Sequence, residues 1–190
     1  MRSPKSEKKT ILAIVGMPGA GKTEVASYLS VKGLLLVRFG EETDRALMEK
    51  GLPLTEQHER EYREQLRKEQ GMAVYAKRAK PRIAQVLQQH DAVIIDGLYS
   101  WEEYTFLKGE FPDLVLVCVI ANPSVRYERL KNRKIRPLSI EEARQRDIDE
   151  IEKLSKGGPI AIADYFIENN GSLGELSKKV DALLQRLGIA

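Results

Sequence analysis

The residues Gly16, Met17, Pro18, Gly19, Ala20, Gly21, Lys22 and Thr23 match G-x-x-x-x-G-K-[ST] in full. Glycines in such a run let successive backbone N–H groups turn inward around a phosphate. A lysine and a hydroxyl in this order serve the β/γ-phosphates and a magnesium ion, respectively. The motif directly follows the apolar run Ile11–Val15 and precedes a helical stretch, Glu24–Lys32, that Gly33 stops. This strand–loop–helix setting is the one the motif requires. ATP and Mg²⁺ are therefore the expected ligands, with Gly16 to Thr23 as the ATP-binding loop, Lys22 as its catalytic cation and Thr23 as a metal ligand. Asp96 ends the run Ala92–Ile95. A second acid there would approach the magnesium through water; a turn aspartate before Gly97 is the alternative.

Other charged residues fall into groups. Lys131, Arg133, Lys134 and Arg136 lie in Lys131–Leu138, a segment without an acid. Such a segment between helices reads as a lid that folds over ATP and excludes water, with Arg133 the candidate for cancelling charge on the moving phosphoryl. A solvated basic turn is the competing reading. Nearby, Arg129 reads as structural more readily than Arg126 reads as catalytic. Lys77, Arg78, Lys80 and Arg82 form a second such group, suited to an anionic acceptor or to an exposed helix end. Glu41 could accept the proton of an attacking hydroxyl. A phosphate acceptor would need no base, and Glu41 or Glu42 would then simply favour a helix start. Tyr99, Trp101, Tyr104 and Cys118 read as packing.

These residues need a scaffold, and 190 residues with 42% apolar and 31% charged content suit one globular domain. Continuous apolar runs at Ile11–Val15, Leu34–Val37, Ala92–Ile95, Leu114–Ile120 and Tyr165–Ile167 predict strands buried on both faces. With helical stretches between them, they make an α/β three-layer α/β/α sandwich on a five-stranded parallel sheet. Ser100/Glu103, Ser139/Glu142 and Ser172/Glu175 each fit a capping box. A stripe of Leu173, Leu176, Val180, Leu183, Leu184 and Leu187 marks a closing helix. Residues 41–90 and 131–155 are long, polar and helical with little core pattern. They read as an acceptor-binding insertion and a lid within the single domain 1–190, and residues 1–9 as a flexible tail.

The rest of the composition excludes. A single cysteine permits no internal disulfide, and two distant histidines give no zinc set. A net charge of +3, from 31 basic against 28 acidic residues, argues against a general nucleic-acid partner. No run approaches the roughly 18 apolar residues of a membrane span. The expected setting is cytoplasmic and the partner a small molecule; oligomeric state is not legible.

Among phosphate-loop classes, a GTPase lacks its N-K-x-D here, since Asn132-Arg-Lys-Ile135 has no aspartate. An AAA or transporter ATPase is usually longer and carries a second signature. From Thr10 onward the chain resembles the dephospho-CoA kinase and adenylate kinase group of small kinases. Besides the phosphate loop, the likeness rests on Phe39-Gly-Glu-Glu-Thr-Asp-Arg45, Pro123–Arg133 with Ser139–Ala143 and Arg146, and Ala163–Ser172. It implies Glu41 where dephospho-CoA kinases have their catalytic aspartate, Arg45 on their helix arginine, and Asn170 in the nucleotide-side loop. Glu41 is a methylene longer than the family's aspartate. The Asp96-Gly-Leu-Tyr-Ser100 segment lacks the arginine often found there in adenylate kinases and in archaeal-type relatives of this group. The Arg67–Arg78 segment is more like those archaeal-type relatives than like bacterial dephospho-CoA kinases. The resemblance implies ATP- and Mg²⁺-dependent transfer to a nucleotide-like acceptor, dephospho-CoA first, with acceptor contacts from Arg45, Lys77, Arg78 and Asp96. A nucleoside monophosphate kinase is the alternative, and a nucleotide-gated regulatory ATPase the alternative of another class.

Overall fold

A computed structural model describes residues 9–134 and 136–189. The strands are β1 (Thr10–Val15), β2 (Leu35–Arg38), β3 (Ala92–Asp96), β4 (Leu114–Ile120) and β5 (Tyr165–Glu168). They pair in the order β2-β3-β1-β4-β5, all parallel. The helices are α1 (Lys22–Val31), α2 (Gly40–Glu49), α3 (Glu56–Gln70), α4 (Val74–Gln89), α5 (Trp101–Glu110), α6 (Pro123–Lys131), α7 (Ile140–Leu154), α8 (Gly157–Ala161) and α9 (Leu173–Leu187).

The expected three-layer α/β arrangement follows from side-chain alternation along strands buried on both sides. Ala13, Val15, Ile95 and Cys118 face one way, into a core shared with Ala76, Ala79 and Ile83 of α4 and Leu107 of α5. Leu12, Ile14, Ile94 and Val117 face the other, against Val25 and Leu29 of α1 and Leu176, Val180 and Leu184 of α9. From β1 the chain crosses beyond β3 to β2, and from β3 it crosses to the opposite side of β1 to begin β4. That reversal opens a crevice at the carboxyl ends of the central strands, where open α/β sheets bind ligands.

Local chemistry sets the helix ends. The three expected capping boxes at Ser100, Ser139 and Ser172 are formed. Among the described residues no helix is long and apolar enough to cross a membrane.

The 41–90 stretch needs a correction. Helix α4 buries Val74, Tyr75, Ala76, Ala79 and Ile83 and packs on β2 and β3. It forms part of a structural layer, and its apolar stripe is masked in the sequence by the lysines and arginines between. The Glu59/Arg63 pair on α3 forms at 3.1 Å, yet Glu59 is buried. Arg136 and Arg146 lie against that helix face through Glu59 and Glu56. Of the expected tail, residues 1–8 lie outside the described residues, while Lys9 donates to Asp91 Oδ1 at 2.8 Å.

Candidate functional site

The phosphate loop leaves β1 at the centre of the sheet. Gly16 turns at φ 142°, and a Cβ there would stand 2.2 Å from the Val119 carbonyl oxygen of β4. Only glycine permits that approach. The loop delivers the chain into α1, whose first amide groups have no partner within the helix and carry its positive dipole end. Lys22 is the first residue of α1 and Thr23 the second. This cradle fits a phosphate anion.

The Lys22 ammonium donates to the loop's own carbonyls, Gly16 O at 2.8 Å and Met17 O at 3.1 Å. Enclosure of this ammonium, with Lys156 nearby, lowers its pKa to about 7. Asp96, the last residue of β3, lies in register with Ile14 of β1 and Arg38 of β2. Burial raises its carboxyl pKa, against the opposing charges of Lys22, Arg38 and Lys156. Asp96 thus ends β3 beside β1, the strand that feeds the phosphate loop. Thr23 supplies a hydroxyl and Asp96 a carboxylate, hard oxygen donors of the kind magnesium takes.

Three side chains that the sequence reading did not assign to the site brace the loop from outside. Asn169, just beyond β5, donates its Nδ2 to Ala20 O at 2.8 Å. Arg129 donates to Asn169 O at 2.8 Å. Arg126, buried on α6, donates to Pro18 O at 3.0 Å and grips Asp147 of α7 with both terminal nitrogens, at 2.9 and 2.6 Å. Asn170, the residue expected near the nucleotide, instead joins Asn122 N at 2.7 Å and Glu168 at 2.8 Å. The structure brings Asn169, not Asn170, to the phosphate loop. The adjacent asparagines left the choice open in sequence.

Phe39 N donates to Asp96 O at 2.9 Å, which seats the start of α2 beside the end of β3. Glu41 pairs with Arg82 of α4, while Glu42 pairs with both Arg78 and Arg45. Arg38 reaches Asp44 at 3.2 Å. Arg45 and Arg78 are thereby brought together around one carboxylate. Lys77 is exposed and does not join them. Lys80 turns away to Glu110 at 2.5 Å.

The basic lid segment divides. Arg133 is exposed at the end of α6, and Arg136 pairs with Glu59 and, at 3.7 Å, with Glu56 of α3. Helix α7 then inverts the usual pattern. It buries Ala143, Asp147 and Glu150 and leaves Ile148 and Ile151 exposed. Arg146 on the same inner side reaches Glu150 at 3.3 Å and Glu56 at 3.8 Å. Lys156, fully buried, pairs with Glu150. No sequence signal identified this inner face, because charged residues repeating at helical spacing ordinarily face water.

Residues 12–169 match a family model described as an AAA domain. Length and the missing second signature argue in sequence against an AAA assignment, and this match corrects that argument. A UPF0200 protein of Thermococcus sibiricus is 36% identical over 187 residues, covering 94% of this chain and 96% of that protein. The chain resembles the crystal structure of a shikimate kinase from Bacteroides thetaiotaomicron with a TM-score of 0.61 at 17% identity, covering 94% of this chain and 98% of that one. A gluconokinase from Sinorhizobium meliloti gives a TM-score of 0.59 at 17% identity, covering 94% and 93%. At such identities the likeness is one of fold, that of the phosphate-loop kinases. The chain belongs to the AAA domain family and to the UPF0200 proteins.

Proposed function

We propose that the protein is a Mg²⁺- and ATP-dependent phosphotransferase acting on a small nucleotide-like acceptor, with the ribose 3′-hydroxyl of dephospho-CoA as first candidate. The observation that carries this reading is a braced phosphate loop that leaves β1 beside the strand end bearing Asp96, with the start of α2 held there. A shikimate kinase and a gluconokinase share the fold, which supports transfer to a small acceptor over hydrolysis.

In this reading the loop amides and Lys22 hold the β/γ-phosphates, and Lys22 exchanges its loop carbonyls for phosphate oxygens. Thr23 and Asp96 would hold Mg²⁺, which would supply positive charge to the phosphate oxygens. Glu41 takes the proton of the attacking hydroxyl once the acceptor displaces Arg82 from it. Arg133 swings in with the lid, and its closure keeps water from the phosphoryl group. Arg45 and Arg78 hold the acceptor's anionic end.

A second reading, a nucleoside monophosphate kinase, is favoured by Arg78, Arg82 and Arg45 clustering around Glu41 and Glu42. Guanidinium forks match phosphate geometry. A radiolabelled γ-phosphate transfer screen against dephospho-CoA and the common nucleoside monophosphates separates the readings. Label on a ribose hydroxyl supports the first and label on a monophosphate the second. Steady release of free phosphate with every acceptor overturns both and indicates a regulatory ATPase. Glu41→Gln sharpens the choice. It should lower transfer to a hydroxyl by about 10² to 10⁴, yet leave transfer to an already anionic phosphate near wild type. Near-normal transfer to a ribose hydroxyl would remove Glu41 as the base.

A further inference from the structure

Lys156 belongs to no motif, yet it is fully buried in the described chain. It follows α7 and precedes the short α8. Its ammonium pairs with Glu150 and stands 4.6 Å above the ring of Tyr99. Tyr99 comes three residues after Asp96, so the ring beneath the lysine belongs to the same wall of the crevice. Burial pushes the Tyr99 phenol up to about 12, so this platform stays uncharged.

Three observations place the lysine at the reaction centre rather than merely inside the protein. Its partner Glu150 lies one helical turn from Asp147, which Arg126 ties to the phosphate-loop carbonyl of Pro18 at 3.0 Å. Asp96 and Cys118 feel the charge of both Lys22 and Lys156. Cys118 pairs with Val15, the residue immediately before the phosphate loop. Finally, the inward face of α7 is lined by Arg146, Asp147 and Glu150, whereas Ile148 and Ile151 are left in water.

Fully burying the Lys156 ammonium opposes folding, because it loses hydration, and the like charge of Lys22 adds to the cost. Apolar residues of similar size commonly hold such a position at least as well. The cost is understandable where a polyanion must fit between the two charges.

We propose that Lys156 is a second phosphate-contacting lysine, which meets the transferring phosphoryl group opposite Lys22, with Glu150 as its counter-ion in the nucleotide-free protein. The inference rests on the phosphotransferase reading above and adds the residue that separates a triphosphate from a diphosphate. Two ammonium groups flanking the γ-phosphoryl oxygens neutralise charge without the lid being closed. Glu150 must then turn from the lysine as the phosphate arrives, and it sits on α7, the helix that Asp147 ties through Arg126 to the loop.

The test compares Mg²⁺ complexes of ADP and of a non-hydrolysable ATP analogue, by calorimetry and by fluorescence of Trp101. That indole is the protein's single tryptophan and packs against Gly158, two residues from Lys156. Lys156→Gln should weaken the triphosphate analogue at least tenfold and ADP less than twofold, with Lys156→Arg restoring part of the difference. Lys156→Met/Glu150→Leu removes the pair together, leaves no lone buried charge, and should lose the same discrimination. Equal weakening of both nucleotides, or of neither, in the double variant overturns the proposal and leaves Lys156 a structural residue. Wild-type protein that binds neither nucleotide overturns the phosphotransferase reading itself.

Discussion

Arg126 offers a measurement of how the lid helix and the phosphate loop are joined. Its guanidinium makes a two-point ion pair with Asp147 and donates to Pro18 O, with side chains only 6% and 11% exposed for the arginine and the aspartate. Arg126→Met removes the partner from a carboxylate that stays buried, held only by Tyr127 Oη at 3.0 Å. Breaking such a pair costs about 3 to 5 kcal/mol. In a chain of this size that corresponds to a fall in Tm of roughly 6 to 20 °C. Arg126→Met/Asp147→Leu removes both charges and should recover most of that loss, since apolar replacements of a buried pair are commonly neutral or better. The loop is a separate matter. Pro18 O still lacks its donor in the double variant, and a hydrogen bond to a charged donor contributes about 1.5 to 3 kcal/mol. Affinity for ADP should therefore stay weaker by about tenfold or more. Thermal melts and ADP calorimetry on the three proteins decide it. A double variant as unstable as the single, or one that binds ADP like wild type, would refute the reasoning.

Lys22 and Asp96 carry the remaining expectations. Lys22 titrates near 7 in the folded protein against 10.5 unfolded, so between those values the unfolded chain binds more protons. Stability of the nucleotide-free protein should accordingly rise as pH climbs through that window. Lys22→Met should flatten the rise, while lowering turnover by about 10²-fold or more; an unchanged pH–Tm profile would contradict the enclosed ammonium. Asp96→Asn should raise the magnesium needed for half-maximal transfer several-fold without loss of Tm, because burial already disfavours the charged carboxyl. A Mg²⁺ titration matching wild type would take Asp96 out of the metal site.

Much of this architecture was legible because it depends on short-range pattern. Five apolar runs became the five strands, since a strand buried on both faces has no polar face to break the run. The serine–glutamate pairs became helix starts because a capping box is closed within four residues. The phosphate loop is equally local, its glycines being required by its own backbone turns. The sequence also mispresented two elements. Helix α4 read as part of a polar stretch with little core pattern, although its alanines and Ile83 seal one face of the sheet, because small apolar residues between lysines and arginines leave a faint stripe. Helix α7 read as a polar stretch with little core pattern because charge at helical spacing normally meets water, and its buried Asp147 and Glu150 have their partners on α6 and just before α8.

By itself, then, the chain's order of residues determined the nucleotide loop, the parallel sheet and the place of Asp96 at a strand end. These follow from nearest-neighbour sterics, caps and hydrophobic runs. Only the tertiary structure decided which charges meet. It put Glu41 on Arg82, Glu42 on Arg78, Arg126 between the loop and α7, Asn169 rather than Asn170 against Ala20, and Lys156 on Glu150. Ion pairs and enclosed ammonium groups depend on residues distant in sequence, and their energies on how far water is excluded. Neither quantity exists until the layers have packed.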